Sequence, residues 1–259
     1  MPDLSKILNA KTPLTLAGLA RGAQPLVMAD LARAVKSRAV FVAADDAAMQ
    51  AVADSAGFFA PELEVLTFPS WDCLPYDRAS PALSISARRL ATLHRLQGKA
   101  SAPQLVVTTI NALLQRVLTP FRIRENVRLL KPGMEIGRES LIALLQRQGY
   151  SRTDTVVDAG EYAVRGSIFD IFPSGLDAGL RLDFFGDELE TLRLFDPNTQ
   201  RSTGPIDQHL LLPASEALLD EDSVKRFRSG YRELFGANAT SDPLYQAVSD
   251  GRRLAGMEH

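Results

Sequence analysis

Leu180-Arg181-Leu182-Asp183-Phe184-Phe185-Gly186-Asp187-Glu188 alternates with a period of two. That period belongs to a β-strand, in which successive side chains point to opposite faces. Leu180, Leu182 and Phe184 therefore share one face, and Arg181, Asp183 and Phe185 share the other. Gly186-Asp187 suits a tight hairpin turn, and Glu188–Phe195 reads as the returning strand. Working outward, Tyr162–Phe172 and Thr155–Asp158 read as further strands, and Arg138–Gln148 as the one helix between about Asn126 and Pro213. Short strands with turn signals around one helix predict a small α+β domain. Its polar face carries an aromatic beside an arginine and a carboxylate. Ala163-Val164-Arg165-Gly166-Ser167 adds a second arginine on another strand. Arginine and exposed aromatic on a rigid sheet is the composition of interface hot spots. The competing reading has Phe185 packed under the neighbouring helix and the arginines merely solvated.

Upstream of Pro120 the pattern is different. Val27, Leu31, Ala34 and Val35 fall on one face of an Ala-rich helix. Ala39–Ala44 follows as a short buried strand, and Asp45-Asp46 can cap a helix over about Ala47–Ser55. Leu63–Phe68 and Leu105–Thr109 are two more strands. Ser84–Leu96 is a helix with Ile85, Leu90, Leu93 and Leu96 inward and Arg88, Arg89 and Arg95 mostly outward, and Asn111–Val117 is a short one. Strands alternating with helices predict a mainly parallel α/β sheet. After Pro213 the chain turns helical and charged, as in Ser223–Phe235.

Composition narrows the chemistry. Lys+Arg number 29 and Asp+Glu 31, a net charge of −2, so the chain as a whole is not built to coat a duplex. One cysteine, Cys73, and three histidines, His94, His209 and His259, exclude a disulfide framework and a Cys-rich zinc site. No metal site is expected. No apolar run is long enough to span a bilayer, and Met1–Lys6 lacks the cationic-then-apolar pattern of a secretory signal, so a cytoplasmic location is expected.

Two stretches compete for a catalytic role, and neither is convincing. Gly18-Leu19-Ala20-Arg21-Gly22-Ala23-Gln24-Pro25 precedes a helix, where a phosphate-binding loop would sit. Such a loop needs G-x-x-x-x-G-K-[ST]. Gln24 and Pro25 stand where Lys and Ser/Thr would be, and Pro25 removes a backbone donor. The loop is read as degenerate and non-binding. Trp71-Asp72-Cys73-Leu74-Pro75-Tyr76-Asp77 gathers a thiol, a phenol and carboxylates, but no histidine base lies near in sequence, and it reads as a packed aromatic loop. A nucleic-acid reading would rest on Arg88, Arg89 and Arg95. The carboxylate pairs Glu188/Glu190 and Glu221/Asp222 read as solvated faces. No catalytic residue is assigned.

Several of these runs together carry a family resemblance. Trp71–Asp77, Gly160–Pro173, Leu180–Glu188, Leu192-Arg193-Leu194-Phe195-Asp196 and Gln200-Arg201 resemble, in order and spacing, the N-terminal region of the bacterial transcription-repair coupling factor. That region is similar to the damage-recognition protein UvrB. UvrB itself fits less well. It keeps an intact phosphate loop and a long DNA-clamping β-hairpin, whereas Thr108-Thr109-Ile110-Asn111-Ala112-Leu113-Leu114 leaves no room for that hairpin.

The resemblance implies a fold: a P-loop-NTPase-like parallel α/β domain with a degenerate nucleotide loop (residues 1–125), an inserted smaller α+β UvrA-binding domain (126–213), and the start of a third, helical segment (214–259). It implies that UvrA is the partner, with Arg165, Arg181 and Phe185 as contacts and Asp183 as a weaker carry-over. It further implies an ATP-driven translocase that displaces stalled RNA polymerase from duplex DNA, with ATP, Mg²⁺ and an autoinhibitory C-terminal domain belonging to parts beyond residue 259. The stretch itself would need no cofactor, and without that C-terminal domain its UvrA-binding face would stay open.

Overall fold

Strands and helices alternate up to Leu114, as predicted. The structure, a computed structural model, describes residues 3–35, 37–75 and 77–258; Met1, Pro2, Lys36, His259 and the Tyr76 of the aromatic loop lie outside the described residues. The described chain falls into two compact units. The first holds residues up to Ser70 with Thr92–Val117, and the second holds Trp71–Ala91 with the residues from Leu118 onward.

The first unit contains α1 (Leu4–Leu8), α2 (Gln24–Val35), β1 (Arg38–Ala43), α3 (Asp46–Phe59), β2 (Glu64–Phe68), the second half of α4 (Leu83–Gln97), β3 (Gln104–Thr109) and α5 (Ile110–Leu114). Its three strands are parallel in the order β1-β3-β2, so the predicted parallel α/β sheet is present. The central strand β3 is buried at every position. The Asp45 carboxylate caps α3 by accepting from the Ala48 N–H at 2.7 Å. Met49, Val52, Ala53 and Ala56 then face the core at helical spacing.

Two local expectations are corrected here. β1 is an edge strand rather than a buried one: Val40 and Val42 are 55% and 46% exposed, because only the Ala39, Phe41 and Ala43 face meets α2 and α3. The buried face of α2 is Pro25, Val27, Ala29 and Ala32, with Ala34 and Val35 toward solvent, since small alanines let the helix approach the sheet closely. β3 runs straight into α5, whose N-cap is Thr109, so there is no intervening hairpin.

The second unit adds α6 (Pro120–Glu125), β4 (Arg128–Leu130), α7 (Arg138–Arg147), β5 (Ser151–Arg152), β6 (Glu161–Arg165), β7 (Ile168–Ile171), β8 (Gly179–Phe185), β9 (Glu188–Phe195), β10 (Ser202–Pro205), β11 (His209–Leu211), α8 (Glu221–Phe235) and α9 (Pro243–Ser249). A six-stranded sheet, β10-β9-β8-β7-β6-β5, forms its middle, antiparallel except for the parallel pair β5–β6. One face packs on α7: Tyr162, Phe169, Ile171, Leu180, Leu182, Phe184, Leu189 and Leu192 form a core with Leu141 and Leu145. This is the predicted α+β arrangement, with two differences. Thr155–Asp158 is loop, not strand. Tyr162–Phe172 is not one strand but the β6–β7 hairpin, because Gly166 at φ +61° reverses the chain in a left-handed conformation open to glycine.

Candidate protein-docking face

The pleat of β8 divides as its alternation requires. Leu180 and Leu182 are fully buried and Phe184 nearly so, while Arg181 and Asp183 are half-buried and Phe185 is 79% exposed. Register then assembles the opposite face from four strands. Arg165 on β6 aligns through Ile168 with Asp183, and Ala163 aligns through Asp170 with Arg181 and then Arg193 on β9. At one end this face is closed by Val156, Ala163 and Phe195 with Phe172 against them. The remainder holds Arg165, Asp170, Arg181, Asp183, Phe185 and Arg193. All four residues singled out for contact, Arg165, Arg181, Phe185 and Asp183, therefore lie on one sheet face.

They are not equally available. Asp170 has no solvent exposure, and two guanidinium groups converge on its carboxylate. Arg181 forks onto it, Nε donating to Oδ1 at 2.7 Å and Nη2 to Oδ2 at 2.9 Å. Arg165 Nη2 donates to the same Oδ2. The remaining Arg181 nitrogen, Nη1, donates to the Gln200 carbonyl at 3.2 Å and to Ser202 Oγ at 3.3 Å. Its guanidinium carbon also sits 4.8 Å from the centre of the Phe195 ring. The Asp170 carboxylate holds the Arg181 guanidinium above its ordinary pKa. Arg181 is thus committed inside the chain and 19% exposed, whereas the Arg165 side chain is 49% exposed. Asp183 accepts from Ser167 Oγ at 2.9 Å.

Asp170 escaped the sequence reading. The available signal was a lone carboxylate in Ile168-Phe169-Asp170-Ile171, but its arginine partner becomes visible only with strand register.

Phe185 ends β8 at a turn held in place by residues 133–136 and the first residue of α7. Ile136 N–H donates to the Asp187 carbonyl at 2.8 Å, Leu189 N–H to the Met134 carbonyl at 2.9 Å, and Gly133 N–H to the Leu189 carbonyl at 2.8 Å. The Asp187 carboxylate accepts from the Arg138 N–H at the start of α7. Gly186 takes φ +63° in the predicted two-residue turn. Phe185 is therefore a large apolar side chain on a pinned hairpin and not beneath a helix, which removes the packed alternative.

The other candidates gain less. Gly18–Pro25 does open onto α2, and Gly18 adopts φ +74°. No strand leads into the loop among the described residues, and the hollow beside it is lined by Thr15, Leu16, Ala17, Gly18, Leu19, Ala23 and Val27, with no charged side chain. Gly22, Gln24 and Pro25 lie at the helix entry. In the aromatic loop, burial and then the carboxylates of Asp72, Glu258 and Asp77 push the Cys73 thiol above its usual pKa, the wrong direction for a nucleophile.

The expected outward arginine row on α4 is corrected. Arg89 is fully buried against Glu216, which also accepts from the Trp71 indole at 3.0 Å, and Arg95 is paired to Glu64. Only Arg88 of the three is exposed, so α4 offers no open basic stripe. Glu188, Glu190, Glu221 and Asp222 are solvated, as read. Among the described residues no helix is long and apolar enough to cross a membrane, and no three His, Cys, Asp or Glu cluster to hold a metal ion.

Comparison with known proteins places the sequence of this stretch in a family. Residues 129–216, which include the whole stretch from β5 to β11, match the UvrB interaction domain. Over 198 residues, 76% of this chain, the sequence is 38% identical to the transcription-repair-coupling factor of Haemophilus influenzae. It is 36% identical to that of Escherichia coli over 195 residues, and 34% identical to that of Myxococcus xanthus over 233. The matched region is only 17–19% of those relatives' lengths. The chain carries a UvrB interaction domain and, over the part it spans, belongs to the transcription-repair-coupling factor family.

Proposed function

We propose that the open sheet face of the second unit docks UvrA, and that the chain is the recruiting module of a transcription-repair coupling protein. The observation that carries this reading is the coincidence of the UvrB interaction domain with a face on which Phe185 is exposed beside Arg165, Arg181 and Asp183. An exposed aromatic on a rigid strand loses little conformational freedom on binding and supplies a desolvated anchor. Arginine beside it supplies directional donors to carboxylates.

The module acts by binding, not by catalysis. Gln24 and Pro25 offer neither the phosphate cation nor the Mg²⁺ hydroxyl of a working loop, which supports a P-loop-like domain that has lost its nucleotide. In the whole protein, working in the bacterial cytoplasm, ATP-driven translocation on duplex DNA, displacement of RNA polymerase and masking of this face by a C-terminal domain belong to other segments.

The test is a pulldown and titration with purified UvrA. Wild type binds; Arg165→Ala, Arg181→Ala and Phe185→Ala each lose affinity, Phe185→Ala by about 2 kcal/mol as for a buried aromatic anchor. Unchanged binding in all three removes the proposal.

A further inference from the structure

We infer that Arg193 is a third docking residue, and that the partner surface meets this face through carboxylates on two sides of an apolar pocket. The inference rests on the docking reading above and adds to it a residue and a partner chemistry.

Arg193 stands directly opposite Arg181 in the β8–β9 register, on the open face, between the core residues Leu192 and Leu194. Like charges directly opposite each other in a sheet are destabilising. For Arg181 this is relieved, because Asp170 neutralises it. That relief is shared, since the repulsion is mutual, but Arg193 itself has no partner: it is exposed, and among the described residues no hydrogen bond or ion pair engages its side chain. Its other neighbour across the strands, Pro205 on β10, carries no charge. Its guanidinium is therefore free to meet another molecule, on the same sheet face as Arg165 and Phe185.

The arginines of this face differ in role. Arg181 has spent its fork on Asp170 and its third nitrogen on Gln200 and Ser202. It is a positioning residue that locks Asp170 and lies beside Phe195. Arg165 gives one nitrogen to Asp170 and keeps the rest of its fork for solvent. The outward cations are therefore Arg165 and Arg193, with Phe185 as the outward apolar group.

Strand spacing of about 4.8 Å and a rise of about 3.4 Å per residue set the footprint. Arg165 and Arg193 are roughly 16 Å apart along the sheet backbone, and Phe185 is about 12 Å from the first and about 14 Å from the second. That triangle is too wide for one small anion or a single carboxylate. It lies well within the roughly 800 Å² that each partner contributes to a standard protein interface. The occupant is a folded protein surface bearing at least two separated acidic groups.

The experiment uses the chain as it is, with UvrA as the probe, titrated at roughly 50 and 200 mM salt. Arg193→Ala is expected to weaken binding about tenfold at low salt and to flatten the salt dependence, and Arg193→Glu to weaken it further. Melting followed by the single tryptophan, Trp71, should be unchanged, since Arg193 makes no internal bond. Lys225→Ala, which removes an exposed cation on α8, a helix that packs on α9 and is not part of this sheet, should bind as wild type. If Arg193→Ala binds within twofold of wild type while Arg165→Ala and Phe185→Ala lose affinity, the role of Arg193 is overturned and the docking reading stands. If Lys225→Ala falls as far as Arg193→Ala, the effect is general charge and the inference is overturned. If wild type does not bind UvrA at all, the docking reading fails and takes this inference with it.

Discussion

Replacing Asp170 by alanine removes the carboxylate that organises the proposed docking face. Three N–H···O contacts end on this group, from Arg165 Nη2, Arg181 Nε and Arg181 Nη2, and it has no solvent exposure. Counted singly, charge-assisted hydrogen bonds of about 1.5–3 kcal/mol would sum to about 5–9 kcal/mol. That sum overshoots, because all three share one carboxylate and the half-exposed Arg165 can turn to water when released. The governing cost is that Arg181, 19% exposed, is left as a partly buried cation without its counterion. Breaking such a pair from one side costs about 3–5 kcal/mol. At about 2–4 °C per kcal/mol for a chain of this size, the melting point should fall by roughly 6–20 °C. Asp170→Asn keeps the shape and one acceptor but not the charge, and turns an NH2 donor toward a guanidinium, so it should cost nearly as much. The chain has one tryptophan, Trp71, and it lies in the same compact unit, so urea or thermal unfolding followed by its fluorescence reports the relevant transition. A loss below about 1 kcal/mol for Asp170→Ala would refute the view that this ion pair organises the face.

Other expectations follow from single contacts. Glu216→Ala should destabilise the second unit by about 3–5 kcal/mol and shift Trp71 emission, because it leaves the buried Arg89 guanidinium without its carboxylate and takes away the acceptor of the indole N–H; the double variant Arg89→Met/Glu216→Leu should recover much of the loss. Gly179→Ala should cost about 1–3 kcal/mol in the same urea assay, since its Cβ would fall 2.2 Å from Cζ of the Phe195 ring, a clash inside the core. Titration with ATP and Mg²⁺ should show no saturable binding; millimolar or tighter affinity lost on mutation within Gly18–Pro25 would overturn the inert-loop reading.

Much of the fold was legible from local pattern. Glu188–Phe195 has the predicted bounds, Gly186-Asp187 makes the predicted turn, and Asp45 caps the helix it precedes. Each depends on residues within a few positions, where backbone geometry and hydrogen bonding leave few options. One error was itself local: Gly166 turns an apparently continuous strand into a hairpin whose halves pair with each other. The other came from packing: β1 is half-exposed because, among the described residues, only its Ala39, Phe41 and Ala43 face packs into the core of its own unit.

The candidate site divides along the same line. Alternation alone assigned Arg181, Asp183 and Phe185 to one face of a strand, since the pleat allows only two faces. It could not say which charges on that face were free. Arg181 and Asp170 are separated by eleven residues and meet only because β7 and β8 pair in one register; Arg89 and Glu216 are 127 apart and meet in a core. Periodicity specifies the direction a side chain leaves the backbone, which is a local quantity. Whether its charge is cancelled depends on what another segment brings to within about 3 Å, and only the tertiary structure decides that.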